Sequence, residues 1–128
     1  MVLLMLGGAI GTLCRYWLAR WIGLQPWARG FPYGTMIVNV SGCFILGMVG
    51  GLLLEPMLAP ENEHWYLLLG SGFCGGYTTF STFAWETSKQ IRDGSWWPAF
   101  ANAAGSVVAG ILGVFLALIL IHGVFGRR

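Results

Sequence analysis

At 128 residues the chain has room for one domain, of which 56% is hydrophobic and 9% charged, against roughly 25% charged in an ordinary soluble domain. Charges this sparse cannot cover a water-facing surface, so lipid is the expected solvent for much of the molecule. A net charge of +2, with no basic run beyond Arg127-Arg128, excludes the electrostatic footprint of a nucleic-acid-binding domain.

A membrane-spanning helix needs roughly 20 mostly apolar residues. The first such segment runs from about residue 2 to 22 and contains Arg15 and Arg20. It lacks a basic leader and a small-x-small cleavage site before Arg15, so it is expected to be a retained helix. A polar connection through Gln25, Arg29 and Pro32 leads to the second segment, about residues 34–54, which stops at Glu55-Pro56. A short acidic loop with Pro60, Glu61, Glu63 and His64 precedes the third, about 65–88. A loop with Lys89, Arg92, Asp93 and Gly94 separates it from the fourth, about 96–122. Trp27, Trp65, Trp96 and Trp97 fall near predicted helix ends, where amphipathic rings favour the headgroup zone.

The expected architecture is therefore a single all-α membrane domain over residues 1–128, with four transmembrane helices. Connections this short make consecutive helices antiparallel. Arg127 and Arg128 lie on the side of the termini, against Arg20, Arg29, Lys89 and Arg92 on the other. So small a bias does not fix an orientation.

Small residues recur in all four segments. Ala101, Gly105, Ala109, Gly113 and Ala117 form a stripe on the fourth, and Gly7/Gly11, Gly47/Gly51 and Gly72/Gly76 have GxxxG spacing. Such stripes allow close helix packing where lipid removes the hydrophobic drive. More than one of them in so small a bundle suggests a second copy of the chain; packing within one protomer is the alternative. Cys14, Cys43 and Cys74 lie in apolar runs without metal-ligand spacing and read as packing residues.

Polar groups at membrane depth require an explanation. Thr35 and Asn39 share a face of the second helix, and Asn102, Ser106 and Gly110 form a row on the fourth. They either bond neighbouring helices or line a path with neutral donors. In the third segment, Gly75-Gly76 followed by Tyr77, Thr78 and Thr79 makes a poor continuous helix. A break there would free backbone carbonyls, which is tolerated only inside protein or beside water. Beyond it Phe80 and Phe83 share one face among Thr79, Ser81 and Thr82. Aromatic edges are electropositive and could meet an anion without trapping it, although Phe more often simply packs. Arg15 suits a polar entrance or a helix cap, with Glu86 as its partner or that of Lys89. No Ser/His/Asp set, paired carboxylates or phosphate loop is present, so the chain does not read as an enzyme.

Three motifs, GGAIGTLCRYWL, YGTMIVNVSGCFILG and GFCGGYTTFSTFAWE, together resemble the Fluc (CrcB) fluoride channels of bacteria over nearly the full chain. The resemblance implies an antiparallel, dual-topology homodimer in the bacterial inner membrane. It would pass fluoride passively out of the cell and relieve fluoride toxicity. It further implies that the third helix is broken near its middle. Phe80 and Phe83 match the family's aromatic pair, Asn39 its pore asparagine, and Thr35, Thr79 and Thr82 lie on the same track. Asn102 and Ser106 occupy the polar track of the fourth helix. Carbonyls of Gly75 and Thr78 match a site for a structural sodium ion at the dimer centre, and Arg15 matches the family arginine. Asn102 departs from the pattern, since some relatives carry Tyr there, as do Gly110 and Val114, where relatives have hydroxyls. The rival class is a small proton-coupled exporter of the four-helix multidrug type. It needs an acid in the first helix, where this chain has Arg15.

Overall fold

Backbone N–H and C=O groups cannot turn to solvent in hydrocarbon, so long apolar runs coil and satisfy themselves. The computed structural model describes residues 1–53 and 63–125, and all the regular structure among them is helical. Helix α1 covers Val2–Gly23, α2 covers Tyr33–Leu53, and α5 covers Trp96–Phe125. Three helices, Val2–Gly23, Tyr33–Leu53 and Trp96–Val124, are long and apolar enough to cross a membrane. They lie close to three of the expected segments. The Glu55-Pro56 stop, Pro60-Glu61 and the Arg127-Arg128 tail fall outside the described residues.

Between α2 and α5 the chain forms α3 (residues 63–77) and α4 (Phe80–Arg92), with Thr78 and Thr79 extended between them. Most of α3, Tyr66–Cys74, winds as a π-helix, which is rare at such length. Within the expected weak stretch, Gly75 to Thr79, both glycines are helical. The chain departs from the helix at the two threonines, where Thr78 has ψ 160° and Thr79 has φ −150°. Thr79 then caps α4, its hydroxyl accepting from Thr82 N at 3.2 Å. At the far end Gly94, at φ +76°, turns the chain as Ser95 N donates to Gln90 O at 2.8 Å. Pro98 sits in the first turn of α5, where no intrahelical N–H is required.

The small residues have a different use from the one expected. A Cβ on Gly7 or Gly11 would run into Leu68 O or Phe73 O of α3. One on Gly76 would strike Gly8 O, and one on Gly72 would lie 3.1 Å from Gly7 Cα. On α2, Gly47 leaves room for Ala117 and Val114 of α5, and Gly51 for Leu118 and Ile121. The stripes thus join α1 to α3 and α2 to α5 inside one protomer, and give no reason for a second copy.

The outside is apolar: Ile10, Leu13 and Trp17 of α1 and Ile111, Phe115 and Ile119 of α5 are all exposed. So are Trp27, Trp65, Trp96 and Trp97, all near helix ends. Few side chains are buried among the described residues, as expected where lipid covers the rest. Gly76→Ala should therefore cost about 1–3 kcal/mol in overpacking, read as a lower unfolding midpoint in detergent. Gly23→Ala, with no described atom within 4 Å of the added methyl, should stay within about 0.5 kcal/mol.

Candidate functional site

Two extended residues in a helical membrane protein leave backbone groups that the helices cannot satisfy. Asn39 of α2 takes up both from Thr79: its Nδ2 donates to Thr79 O at 3.0 Å, and its Oδ1 accepts from Thr79 N at 2.7 Å. The amide pairs with the backbone as a neighbouring strand would. Thr79 is buried, and its hydroxyl donates to Thr82 Oγ1 at 3.1 Å. Thr78 hangs from the turn before, its N–H and its hydroxyl both reaching Cys74 O, at 3.0 and 2.9 Å. Tyr77 is buried beneath, its hydroxyl 2.9 Å from Ser41 Oγ.

On one side of this pair lies a groove of about 440 Å³. Its wall includes Asn39, Thr78, Thr79, Phe80, Phe83 and Ser106, together with Gly75. The Phe80 and Phe83 rings sit 5.7 Å apart at 44°. Phe80 is 79% exposed, on the lip of the groove, at the positive end of the α4 dipole. The polar part of the wall offers hydroxyls and an amide but no charged side chain.

A second cavity, of about 390 Å³, lies on the other side, lined by Arg15, Arg20, Thr35, Thr79 and Thr82 among others. Arg15 directs Nη1 to Thr78 O at 3.5 Å. Thr79 borders both spaces, so the extended pair is a thin partition between a neutral groove and a cavity that carries two arginines.

The expected site residues thus divide. Asn39, Phe80, Phe83, Ser106, Thr79, Gly75 and Thr78 meet at the groove, whereas Thr35, Thr82 and Arg15 face the second cavity. Asn102 lines neither: it is fully buried behind Ser106. The Glu86 pairing with Arg15 or Lys89 is not what the structure has. Arg15 goes to the Thr78 carbonyl, and Glu86 Oε2 has no hydrogen-bond partner among the described residues. Arg15 reaches Thr78, before α4 begins, whereas Glu86 stands well along α4.

Tyr66, Ser71, Cys43 and Cys74 also border the groove, and nothing in their spacing set them apart from packing residues. Thr87 was likewise missed. It stands four residues after Phe83 and bonds back to its carbonyl at 2.8 Å, a spacing that could have found it.

Of the described residues, no group of three or more His, Cys, Asp or Glu could hold a metal ion. The neutral oxygens at the break include Gly75 O, whose ordinary helical donor, Thr79 N, is turned to Asn39.

Residues 2–118 match the family described as CrcB-like protein, Camphor Resistance (CrcB). A Solibacter usitatus protein named Fluoride-specific ion channel FluC is 48% identical over 93% of this chain and 95% of its own length. A Pyrococcus horikoshii protein of the same name is 44% identical over 92% of each chain. Fluoride-specific ion channel FluC 2 of Moorella thermoacetica is 43% identical over 93% of each.

Replacing Asn39 by Leu would leave the Thr79 N–H and C=O both unpaired, at about 1–3 kcal/mol each. Amide hydrogen exchange at Thr79 should accelerate by roughly a hundred-fold, and less in Asn39→Asp, which keeps the acceptor.

Proposed function

Because the chain belongs to the CrcB-like protein family, we propose that it is a fluoride-specific channel, and that the groove beside Thr78 and Thr79 is half of its conduction pathway. It is a multi-pass membrane protein by its long apolar helices, and a transporter rather than an enzyme by its family. The observation that carries the reading is the chemistry of the groove wall: neutral donors and two phenylalanine edges, assembled where α4 begins.

Fluoride is small and holds its water strongly, so a conductor must replace that water with many donors, none strong enough to keep the ion. The Asn39 Nδ2 hydrogen not given to Thr79 O, the hydroxyls of Thr79 and Ser106 once rotated toward the ion, and the positive edges of Phe80 and Phe83 meet that requirement. An arginine in the same position would bind the ion and hold it. Arg15 and Arg20 stand instead behind the partition, raising the potential for an anion without coordinating it. Thr35 and Thr82 sit with them as the approach, and Asn102 supports Ser106.

The groove is open along one side, and among the described residues Phe80 is left mostly exposed. A second copy, inserted antiparallel as the even charge distribution permits, would close the groove and complete a pathway with residues from both subunits. The cover for this face, rather than the glycine stripes, favours the homodimer. Residues 1–128 then form one four-crossing domain, its third crossing built from α3 and α4 and broken at the two threonines.

Gly75 and Thr78 carbonyls from two subunits would hold a sodium ion at the centre, since two oxygens from one chain are too few for a hard cation. The ion would supply a fixed positive charge and clamp the two partitions together. Thr78 O already accepts from Arg15 at 3.5 Å, a contact weak enough to be shared. The bacterial inner membrane is the site, where fluoride leaves the cell down its own gradient and its toxicity is relieved.

Liposomes containing the purified protein should release fluoride, read with an electrode, when only a counter-ion shunt is supplied. Chloride should stay behind. Taking each ring edge at about 1 kcal/mol, Phe80→Ile with Phe83→Ile should slow fluoride release roughly thirty-fold. Release at the wild-type rate would remove the phenylalanines from the pathway.

A further inference from the structure

Three hydrogen bonds in series run from the groove wall to the backbone of α4, all through groups behind the wall. Ser106 Oγ donates to Asn102 Oδ1 at 3.3 Å. Asn102 Nδ2 donates to Thr87 Oγ1 at 2.8 Å. Thr87 Oγ1 donates to Phe83 O at 2.8 Å. Both ends of the series, Ser106 and Phe83, border the groove, while Asn102 is fully buried. Every proton in the chain points one way, from the groove toward the Phe83 carbonyl.

In this arrangement Ser106 has no proton for an anion. Its O–H is occupied by Asn102, so at Ser106 the groove meets only hydroxyl lone pairs, which repel negative charge. The series can, however, be read in reverse. If the Asn102 amide turns over, the Thr87 hydroxyl donates to Oδ1, Nδ2 donates to Ser106 Oγ, and the Ser106 O–H swings into the groove. The number of hydrogen bonds among the three side chains is unchanged. The cost is the extra bond to Phe83 O, which as a helical carbonyl keeps its place in the backbone ladder. The weakest link is the longest, at 3.3 Å, and it is the one nearest the groove.

We infer that Asn102 is a positioning residue in a reversible hydrogen-bond relay. An anion in the groove turns the Ser106–Asn102–Thr87 series around, so that Ser106 donates to it only while it is present. The inference rests on the fluoride-channel reading of the groove and assigns Ser106 a resting state closed to anions. The lone anion then reorients several dipoles at once, and bonds that polarise one another favour all-or-none reversal. No bond is made or broken covalently; two hydroxyls rotate and one amide flips.

The relay gives an effect whose sign a purely structural role would not produce. Thr87→Val removes two bonds of the resting series and one of the reversed series, so it favours the reversed state by one hydrogen bond. Half-saturating fluoride should then fall, by roughly five-fold for a bond of about 1 kcal/mol. Thr87→Ser should restore the wild-type value. In the full wild-type chain in lipid nanodiscs, sodium fluoride should shift the side-chain amide resonances of Asn102 saturably. Sodium chloride should leave them in place, and in Ser106→Ala they should not respond to fluoride. A silent Asn102 amide in wild-type protein that conducts fluoride would overturn the relay and leave the channel reading intact. So would a rise in half-saturating fluoride in folded Thr87→Val. Wild-type liposomes that release no fluoride would instead remove the channel reading, and the relay with it.

Discussion

The arrangement depends on one requirement: two consecutive peptide groups that leave the helix inside a membrane protein must be paired by something other than water. Asn39 meets it for Thr79 with a single amide that both donates and accepts. Cys74 O serves Thr78 from the turn above, and Arg15 reaches the Thr78 carbonyl. With the break secured, α4 can start afresh, present its N-terminal dipole and Phe80 to the groove, and leave the Gly75 carbonyl outside the helical ladder. An asparagine is suited to this and an aspartate is not, because an ionised carboxylate could only accept.

Much of this was legible in the sequence because membrane solvent imposes simple rules. Apolar runs of sufficient length gave α1, α2 and α5 within a few residues, and the tryptophans fell near the ends. The GGYTTFSTF stretch announced an irregularity, since glycine and threonine are both weak helix formers. Propensity could not say which residues would break, though. Gly76 stayed helical because its lack of a side chain serves the contact between α1 and α3, and there tertiary packing outweighed intrinsic flexibility. The π-helical pitch of Tyr66–Cys74 left no signal that the pattern of apolar residues could reveal.

The site was legible in part, for a reason that also concerns geometry. Residue spacing places Thr35 with Asn39 and Asn102 with Ser106 on shared faces; the structure joins the second pair by a hydrogen bond but sets Asn39 on the groove and Thr35 on the second cavity. Spacing cannot say which side of a thin partition a face looks onto. Thr35 therefore turns out to face Arg15 and Arg20, and Asn102 stands behind the wall rather than on it. The expected pairing of Glu86 fails because sequence distance says nothing of direction: Arg15 looks to the break, before α4 begins, and Glu86 stands well along α4.

The glycine seam between α1 and α3 has a bearing on how anything could cross this protein. A carrier with alternating access rocks one bundle of helices against another, exposing its site to each side in turn. Such rocking needs an interface that can slide, with side chains able to exchange partners. Here α1 and α3 meet backbone to backbone at Gly7, Gly11, Gly72 and Gly76, so a slide would drive one backbone into the other. Contacts so close hold the frame around the break, and in the relay inferred above only hydroxyls and an amide move. A protein built in this way can adjust what its passage offers to an ion, but it cannot turn the passage inside out.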